Sequence, residues 1–289
     1  MVQAVILAGG EGSRLKEVSG NLPKSMVSIS GKPLLQHIIE QCVKSNITEI
    51  KLLVSYKNEI IEKYFDNGSK YGVSIEYIVE KIPMGTAGSI YCALSKLDEQ
   101  FIVIYGDTYF DIDLKAFWKF HLEKLSDISI FLHPNDHPYD SDLVEIDSDF
   151  LVKKIYPYPH DNKWRQNLVN AAIYIFNKSV FEIKKFSDSK FDIAKDFFPQ
   201  VLKHKKRFFG YVSTEYIKDM GTPKRLEKVK EDIKSNKVKL LNRKTQKRAI
   251  FLDRDGTINE EVNHLSNQDQ FKLLKGVGEA ISKINSAGF

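Results

Sequence analysis

The sequence predicts an α/β protein: a Rossmann-like, mostly parallel sheet with helices on both faces, an added antiparallel portion, and a C-terminal fragment of a second α/β domain. Three observations carry this expectation. Short β-branched runs alternate with helical stretches from residue 2 onward, the rhythm changes to strands without crossovers after about residue 135, and a fresh strand-then-helix pattern follows a basic stretch.

In chain order, residues 2–8, 50–55, 73–79, 101–105 and 128–133 read as strands. Between them, residues 33–44, 57–65, 86–97 and 114–125 place apolar residues three to four apart, as helices packed on a sheet require. Residues 143–146, 151–155 and 169–176 then read as strands of the antiparallel portion, followed by helices over 193–203 and 222–235. These define a first domain over 1–236. Residues 237–248 read as a basic linker, 249–252 as a strand and 276–287 as a helix. A single strand and helix cannot bury their own faces, so 249–289 is expected to be an incomplete domain. In an open parallel sheet ligands bind beyond the carboxyl ends of the strands, and the motifs below fall there.

At 289 residues, with 42% hydrophobic and 28% charged, the chain is neither disordered nor fibrous. Its longest unbroken apolar run is Ala171 to Phe176, far short of a bilayer span. No basic, cleavable leader precedes Val5-Ile-Leu, so the expected location is cytoplasmic, with no membrane partner. Cys42 and Cys92 are too few for a disulfide scaffold and read as small hydrophobes on helix faces. Lys237 to Arg248 holds six basic residues and no acid, which exceeds the whole net charge of +5. A nucleic-acid partner is therefore not expected. The oligomeric state is left open, a homo-oligomer included.

Leu7-Ala8-Gly9-Gly10-Glu11-Gly12-Ser13-Arg14 follows the first strand, and Pro23-Lys24 comes shortly after. Glycines let backbone N–H groups approach phosphate oxygens, Ser13 adds a donor, and Arg14 and Lys24 add charge, which together make a triphosphate cradle. The dinucleotide fingerprint fails for want of its third glycine, and Gly31-Lys32-Pro33 lacks the hydroxyl residue of a Walker loop. Glu80 offers a carboxylate that can accept from guanine N1–H and its exocyclic amine. Gly85-Thr86-Ala87-Gly88 puts small residues at a helix start, where a nucleoside can lie close to the backbone. Asp107 ends a strand and Asp219 precedes a glycine; if they meet at one cleft, their hard oxygens suit Mg²⁺.

The run Leu-Ala-Gly-Gly-x-Gly-Ser-Arg-Leu with Pro-Lys, followed by Glu80-Lys-Ile-Pro83-Met-Gly85-Thr86-Ala87, Tyr105-Gly106-Asp107 and Asp219-Met-Gly221-Thr222-Pro223, resembles the sugar-phosphate nucleotidyltransferases over residues 1–236. The Glu-x-x-Pro-x-Gly-Thr-Ala form is similar to the guanylyltransferases. The resemblance implies a nucleoside triphosphate, GTP favoured, and a sugar 1-phosphate as substrates. Leu7, Ala8, Gly9, Gly10, Gly12, Ser13, Arg14, Glu80, Pro83, Gly85, Thr86 and Ala87 would bind nucleotide. Asp107 and Asp219 would hold Mg²⁺, and Arg14, Lys24 and Asp107 would be catalytic. The sugar phosphate would attack the α-phosphorus and release pyrophosphate. An anionic nucleophile needs no general base, so the task is alignment and charge neutralisation.

The acceptor side departs from that family. Ser141-Asp142 stands where many members have Tyr-Gly, Pro157-Tyr158-Pro159 where many have Glu-Lys-Pro with a phosphate-binding lysine, and Asn170-Ala171-Ala172 where many have Asn-Ala-Gly. A rebuilt sugar site would draw on Asp140, Asp142 and Asn170, with Lys153 or Lys154 replacing the lysine. Further on, the strand ending in Asp253-Arg-Asp255-Gly-Thr257 resembles the first motif of haloacid-dehalogenase phosphatases, heptose-bisphosphate or histidinol-phosphate branch. There Asp253 would be a nucleophile and Asp255 an acid/base. This juxtaposition points to D-glycero-D-manno-heptose 1-phosphate as acceptor, mannose 1-phosphate next, and to nucleotide-sugar biosynthesis for a polysaccharide. The alternatives are a non-catalytic nucleotide or sugar-phosphate binding module, and a phosphatase with an accessory N-terminal domain.

Overall fold

Successive side chains of the first strand, β1 (Gln3–Leu7), enter different cores: Ala4 and Ile6 join one apolar cluster and Val5 the other, so the sheet has to be covered on both sides. The computed structural model describes residues 2–10, 20–161, 163–183 and 190–289. The chain divides into two units, Met1–Arg243 and Lys244–Phe289.

In the first unit a short hairpin, β2 (Ser28–Ile29) and β3 (Lys32–Pro33), leads into α1 (Leu34–Lys44). There follow β4 (Glu49–Val54), α2 (Asn58–Phe65), β5 (Ser74–Val79), α3 (Thr86–Ala93), β6 (Gln100–Tyr105), β7 (Thr108–Asp111), α4 (Leu114–Glu123) and β8 (Ile128–His133). β1 pairs in parallel with β4 and with β6, and β4 in parallel with β5. The order β5-β4-β1-β6 reverses direction at β1, and the crevice for a ligand opens between the carboxyl ends of β1 and β6. Leu34, Leu35, Ile38 and Ile39 of α1, with Ile61 and Phe65 of α2 and Phe117 of α4, fill one core; Ala87, Ile90 and Ala93 of α3 fill the other.

The antiparallel portion consists of β9 (Leu143–Ile146), β10 (Val152–Tyr156) and β11 (Val169–Asn177), and β11 joins it to the parallel sheet by pairing with β6, β8 and β9. A π-helical turn, Ile193–Phe197, runs into α5 (Phe198–Lys203). β12 (Phe208–Val212) adds to β8 in parallel, and β13 (Tyr216–Asp219) pairs with β7 antiparallel. Neither β7, β12 nor β13 is foreseen from the sequence. α6 (Pro223–Lys234) begins on Thr222, whose hydroxyl accepts from Arg225 N–H.

The linker expected over 237–248 is in part structured. Lys237–Leu241 forms α7, which buries Val238 and packs Leu241 against the first core. Asn242 Nδ2 donates to Asp111 Oδ1 at 3.0 Å and Arg243 N to Glu215 Oε1 at 3.1 Å, so the first half of the basic stretch belongs to the main unit. In the second unit the strand expected over 249–252 does not form: those residues pair with no strand among the described residues, and Phe251 is 96% exposed. A strand needs a neighbouring ladder, and the helix α8 (Val277–Ser286) supplies none. Cys42 is buried as expected, its thiol pushed up to about 12 by burial, but Cys92 is exposed because α3 turns Ala87, Ile90 and Ala93 inward. No helix among the described residues is long and apolar enough to cross a membrane.

Candidate functional site

Leu7, Ala8, Gly9 and Gly10 run from the end of β1 along a cleft of about 290 Å³ whose other walls include Lys24, Ser25, Leu53, Glu80, Pro83, Gly85, Thr86, Ser89, Tyr105, Gly106 and Asp107. The ends of β1 and β6 meet through Gly106, whose N–H donates to Leu7 O at 2.9 Å. A Cβ at Gly106 would lie 2.9 Å from that same oxygen, so only glycine permits this approach. Glu80 faces the cleft with Ser89 Oγ 2.6 Å from its Oε1. Burial raises its pKa, against the lowering pull of the Ser89 hydroxyl and the Met84 backbone. A donor-rich ligand that paired with this carboxylate would relieve that cost.

Gly85 precedes α3 at φ +78° and ψ 169°, a region open to glycine almost alone. There the chain presses against Phe191, whose carbonyl accepts from Ala87 N at 3.0 Å and Gly88 N at 3.1 Å. Thr86 Oγ1 donates to Asp192 Oδ2 at 2.9 Å and accepts from Ile193 N at 2.8 Å. The first amides of α3 and the Thr86 hydroxyl are thus engaged with the 191–193 segment, which Asp192 fastens to the cleft wall. Lys24 Nζ is ion-paired with Asp107 Oδ2.

A second cavity, of about 330 Å³, is lined by Thr108, His133, Asn135, His137, Asp140, Ser141, Asp142, Tyr158, Val169–Ala172, Lys195, Ile217, Lys218, Asp219 and Arg225. It abuts the first through the β7–β13 ladder: Asp219 lies opposite Thr108, and Met220 N donates to Asp107 O at 2.8 Å. Partners across such a ladder sit about 5 Å apart, so Asp219 is brought beside Thr108, the residue that follows Asp107; Asp107 lines the cleft and Asp219 the second cavity. Arg225 Nη1 donates to Asp219 Oδ2 at 2.6 Å and Nη2 to Asp140 Oδ2 at 3.1 Å. Asp142 Oδ1 accepts from Tyr158 N at 2.8 Å, yet burial holds its carboxyl above the usual range. His133 Nδ1 donates to Pro134 O at 3.0 Å, and burial pushes its pKa down to about 4. At neutral pH the ring is therefore neutral.

Of the residues singled out in the sequence, Leu7, Ala8, Gly9, Gly10, Lys24, Glu80, Pro83, Gly85, Thr86 and Asp107 line the cleft, and Asp140, Asp142, Asn170 and Asp219 the second cavity. Gly12, Ser13 and Arg14 lie outside the described residues. Two of the expected residues lie elsewhere. Ala87 is not a lining residue but sits in the core beneath α3 with its N–H on Phe191 O. Lys154 does not enter the second cavity: the β9–β10 ladder shifts register at this point, and its ammonium lies over the Tyr156 ring at 4.8 Å, while Lys153 pairs with Asp147 at 2.8 Å. Lys195, Lys218 and Arg225 are the basic lining residues the sequence reading passed over. Arg225 alone had a signal, two residues after the Gly-Thr-Pro run. Ala172 keeps a left-handed φ of +57°, the conformation that the glycine of the related motif would favour.

Asp253 and Asp255 lie in the second unit. Asp255 is held by Arg254 (2.9 and 2.7 Å) and Asn259 (3.0 Å), and Asp253 Oδ1 accepts from Arg254 N at 2.8 Å. No cluster of three or more His, Cys, Asp or Glu suited to a metal occurs among the described residues.

Comparison with known proteins gives a concordant result. The family described as nucleotidyl transferase matches residues 3–236. D-glycero-alpha-D-manno-heptose 1-phosphate guanylyltransferase of Aneurinibacillus thermoaerophilus is 34% identical over 234 residues, covering 80% of this chain and 98% of its own length. The protein of the same name from Campylobacter jejuni is 34% identical, covering 77% and 96%. Among solved structures, HddC from Yersinia pseudotuberculosis complexed with GMP-PN superposes with a TM-score of 0.69 at 35% identity, over 81% of this chain and 100% of that one.

Proposed function

The chain belongs to the nucleotidyl transferase family, and on that premise we propose that it transfers a guanylyl group from GTP to a sugar 1-phosphate, releasing pyrophosphate. D-glycero-D-manno-heptose 1-phosphate is the favoured acceptor and mannose 1-phosphate the next. The observation that carries this reading is the junction of the two cavities at Asp107 and Asp219, where a donor phosphate from one side can meet an acceptor phosphate from the other.

The cleft suits a guanine nucleotide. The Glu80 carboxylate can accept from both guanine donors, and Gly9 leaves room beside it, a Cβ there lying 3.4 Å from Glu80 Oε2. Lys24 pairs with Asp107 and Arg225 with Asp219, and both cations can turn to phosphate oxygens when the carboxylates take another partner. Two carboxylates with hard oxygens fit Mg²⁺, which takes few protein ligands and completes its shell with phosphates and water, so a three-residue cage is not required. Bound there, Mg²⁺ would neutralise charge on the reacting phosphates. The protein's own part is to align the acceptor oxygen with the α-phosphorus and to place Lys24 beside the departing charge; no side chain need remove a proton.

Residues 249–289 we read as resembling the opening of a haloacid-dehalogenase-type domain, on the Asp253-x-Asp255-Gly-Thr257 motif.

The test is pyrophosphate release over a grid of nucleoside triphosphates and sugar 1-phosphates. The expected result is turnover with GTP and the heptose or mannose phosphate, and a loss of preference for GTP in Glu80→Gln of roughly 10- to 100-fold. Absence of pyrophosphate from every pair would overturn the reading, and a GTP preference that survives Glu80→Gln would remove Glu80 from base recognition.

A further inference from the structure

Resting on the second cavity as the acceptor site, we infer that Lys195 is the cation that binds the phosphate of the sugar 1-phosphate, in place of the lysine missing from Pro157-Tyr158-Pro159. Two lysines and one arginine line that cavity, and one lysine and the arginine are already engaged. Lys218 Nζ lies 3.0 and 3.3 Å from the two carboxylate oxygens of Asp136, and Arg225 is spread between Asp219 and Asp140. The Lys195 ammonium makes no hydrogen bond or close ion pair among the described residues, and acts on Asp142 of the same cavity only through space, favouring its charged form. An incoming phosphate dianion must break a pair to recruit Lys218 or Arg225, but none to recruit Lys195.

Its place in the fold supports the role. Asp192 Oδ1 caps the turn that carries Lys195, accepting from Ala194 N at 2.9 Å and Lys195 N at 3.0 Å. The other oxygen of Asp192 accepts from Thr86, a wall of the nucleotide cleft. Lys195 is therefore anchored at the partition between the cavities, where the acceptor phosphate has to approach the α-phosphorus. The segment that holds the lysine in many family members is used differently here: Tyr158 N donates to Asp142.

The experiment is steady-state pyrophosphate release by the full chain and its Lys195→Ala and Lys195→Arg variants, with calorimetric titration of mannose 1-phosphate into each. Lys195 is exposed, and unchanged circular dichroism will confirm that the variants fold. The alanine variant should raise KM for the sugar phosphate and weaken its binding roughly 10- to 100-fold, leave KM for GTP within about two-fold, and be largely rescued by arginine. An alanine variant with unaltered acceptor KM and affinity, beside an active parent, would overturn the role of Lys195 alone. A parent protein that neither binds mannose 1-phosphate nor releases pyrophosphate would overturn the acceptor-site reading as well.

Discussion

Replacing Gly85 with alanine probes the contact between the cleft wall and the 191–193 segment. At φ +78° and ψ 169° an alanine is strained by about 1–3 kcal/mol. Its Cβ would also stand 2.7 Å from the carbonyl oxygen and 2.8 Å from the nitrogen of Phe191, backbone atoms that cannot swing aside as a side chain could. Overpacking of this kind costs about 1–3 kcal/mol, so the variant should lose about 2–6 kcal/mol in all. For a chain of this size that is a fall in Tm of at least roughly 4 °C. Part of the strain will be relieved by moving the 191–193 segment outward, which loosens the Thr86–Asp192 contact and should raise KM for both substrates. The assay is thermal or urea unfolding beside Gly10→Ala, where an added Cβ meets nothing within 4 Å among the described residues and stability should not fall. A Gly85→Ala protein as stable as its parent, or a Gly10→Ala protein equally damaged, would refute the reasoning.

Other expectations follow from the same geometry. Ala172→Gly should stabilise the protein by about 0.5–1 kcal/mol, because relief of the left-handed φ of +57° exceeds the added freedom of the unfolded chain; the urea midpoint reports it. His133 has a folded pKa of about 4 against the ordinary 6.5, so between those values the unfolded chain binds a proton that the folded one refuses. Stability should therefore be fully present above pH 6.5 and fall by about 3 kcal/mol as pH drops to 4, a slope that His133→Gln should flatten in urea titrations at stepped pH.

The parallel half of the sheet was legible because its strands send apolar residues to both faces: in β1, Ala4 and Ile6 serve one core and Val5 the other. The nucleotide cleft was legible for a related reason, since its walls are short contiguous runs at strand ends. What escaped depends on contacts between distant segments. The β7–β13 ladder joins two four-residue strands, Thr-Tyr-Phe-Asp and Tyr-Ile-Lys-Asp, too short to show a period. Lys195 gains its place through contacts such as Asp192–Thr86, 106 residues apart, whereas Lys154 looked suitable until a register shift in its strand turned it onto Tyr156. The segment 249–252 shows the converse: a strand-like run with no partner strand stays irregular.

We propose that Asp107 and Asp219, brought near each other where β7 pairs with β13, act on the same divalent ion. The most direct test is Mg²⁺ titration of pyrophosphate release by the parent, Asp107→Asn and Asp219→Asn. Each substitution is expected to cut turnover by roughly 100-fold or more and to shift the curve to higher Mg²⁺, while GTP still binds. A variant of either aspartate that keeps the parent's turnover and Mg²⁺ dependence would contradict it.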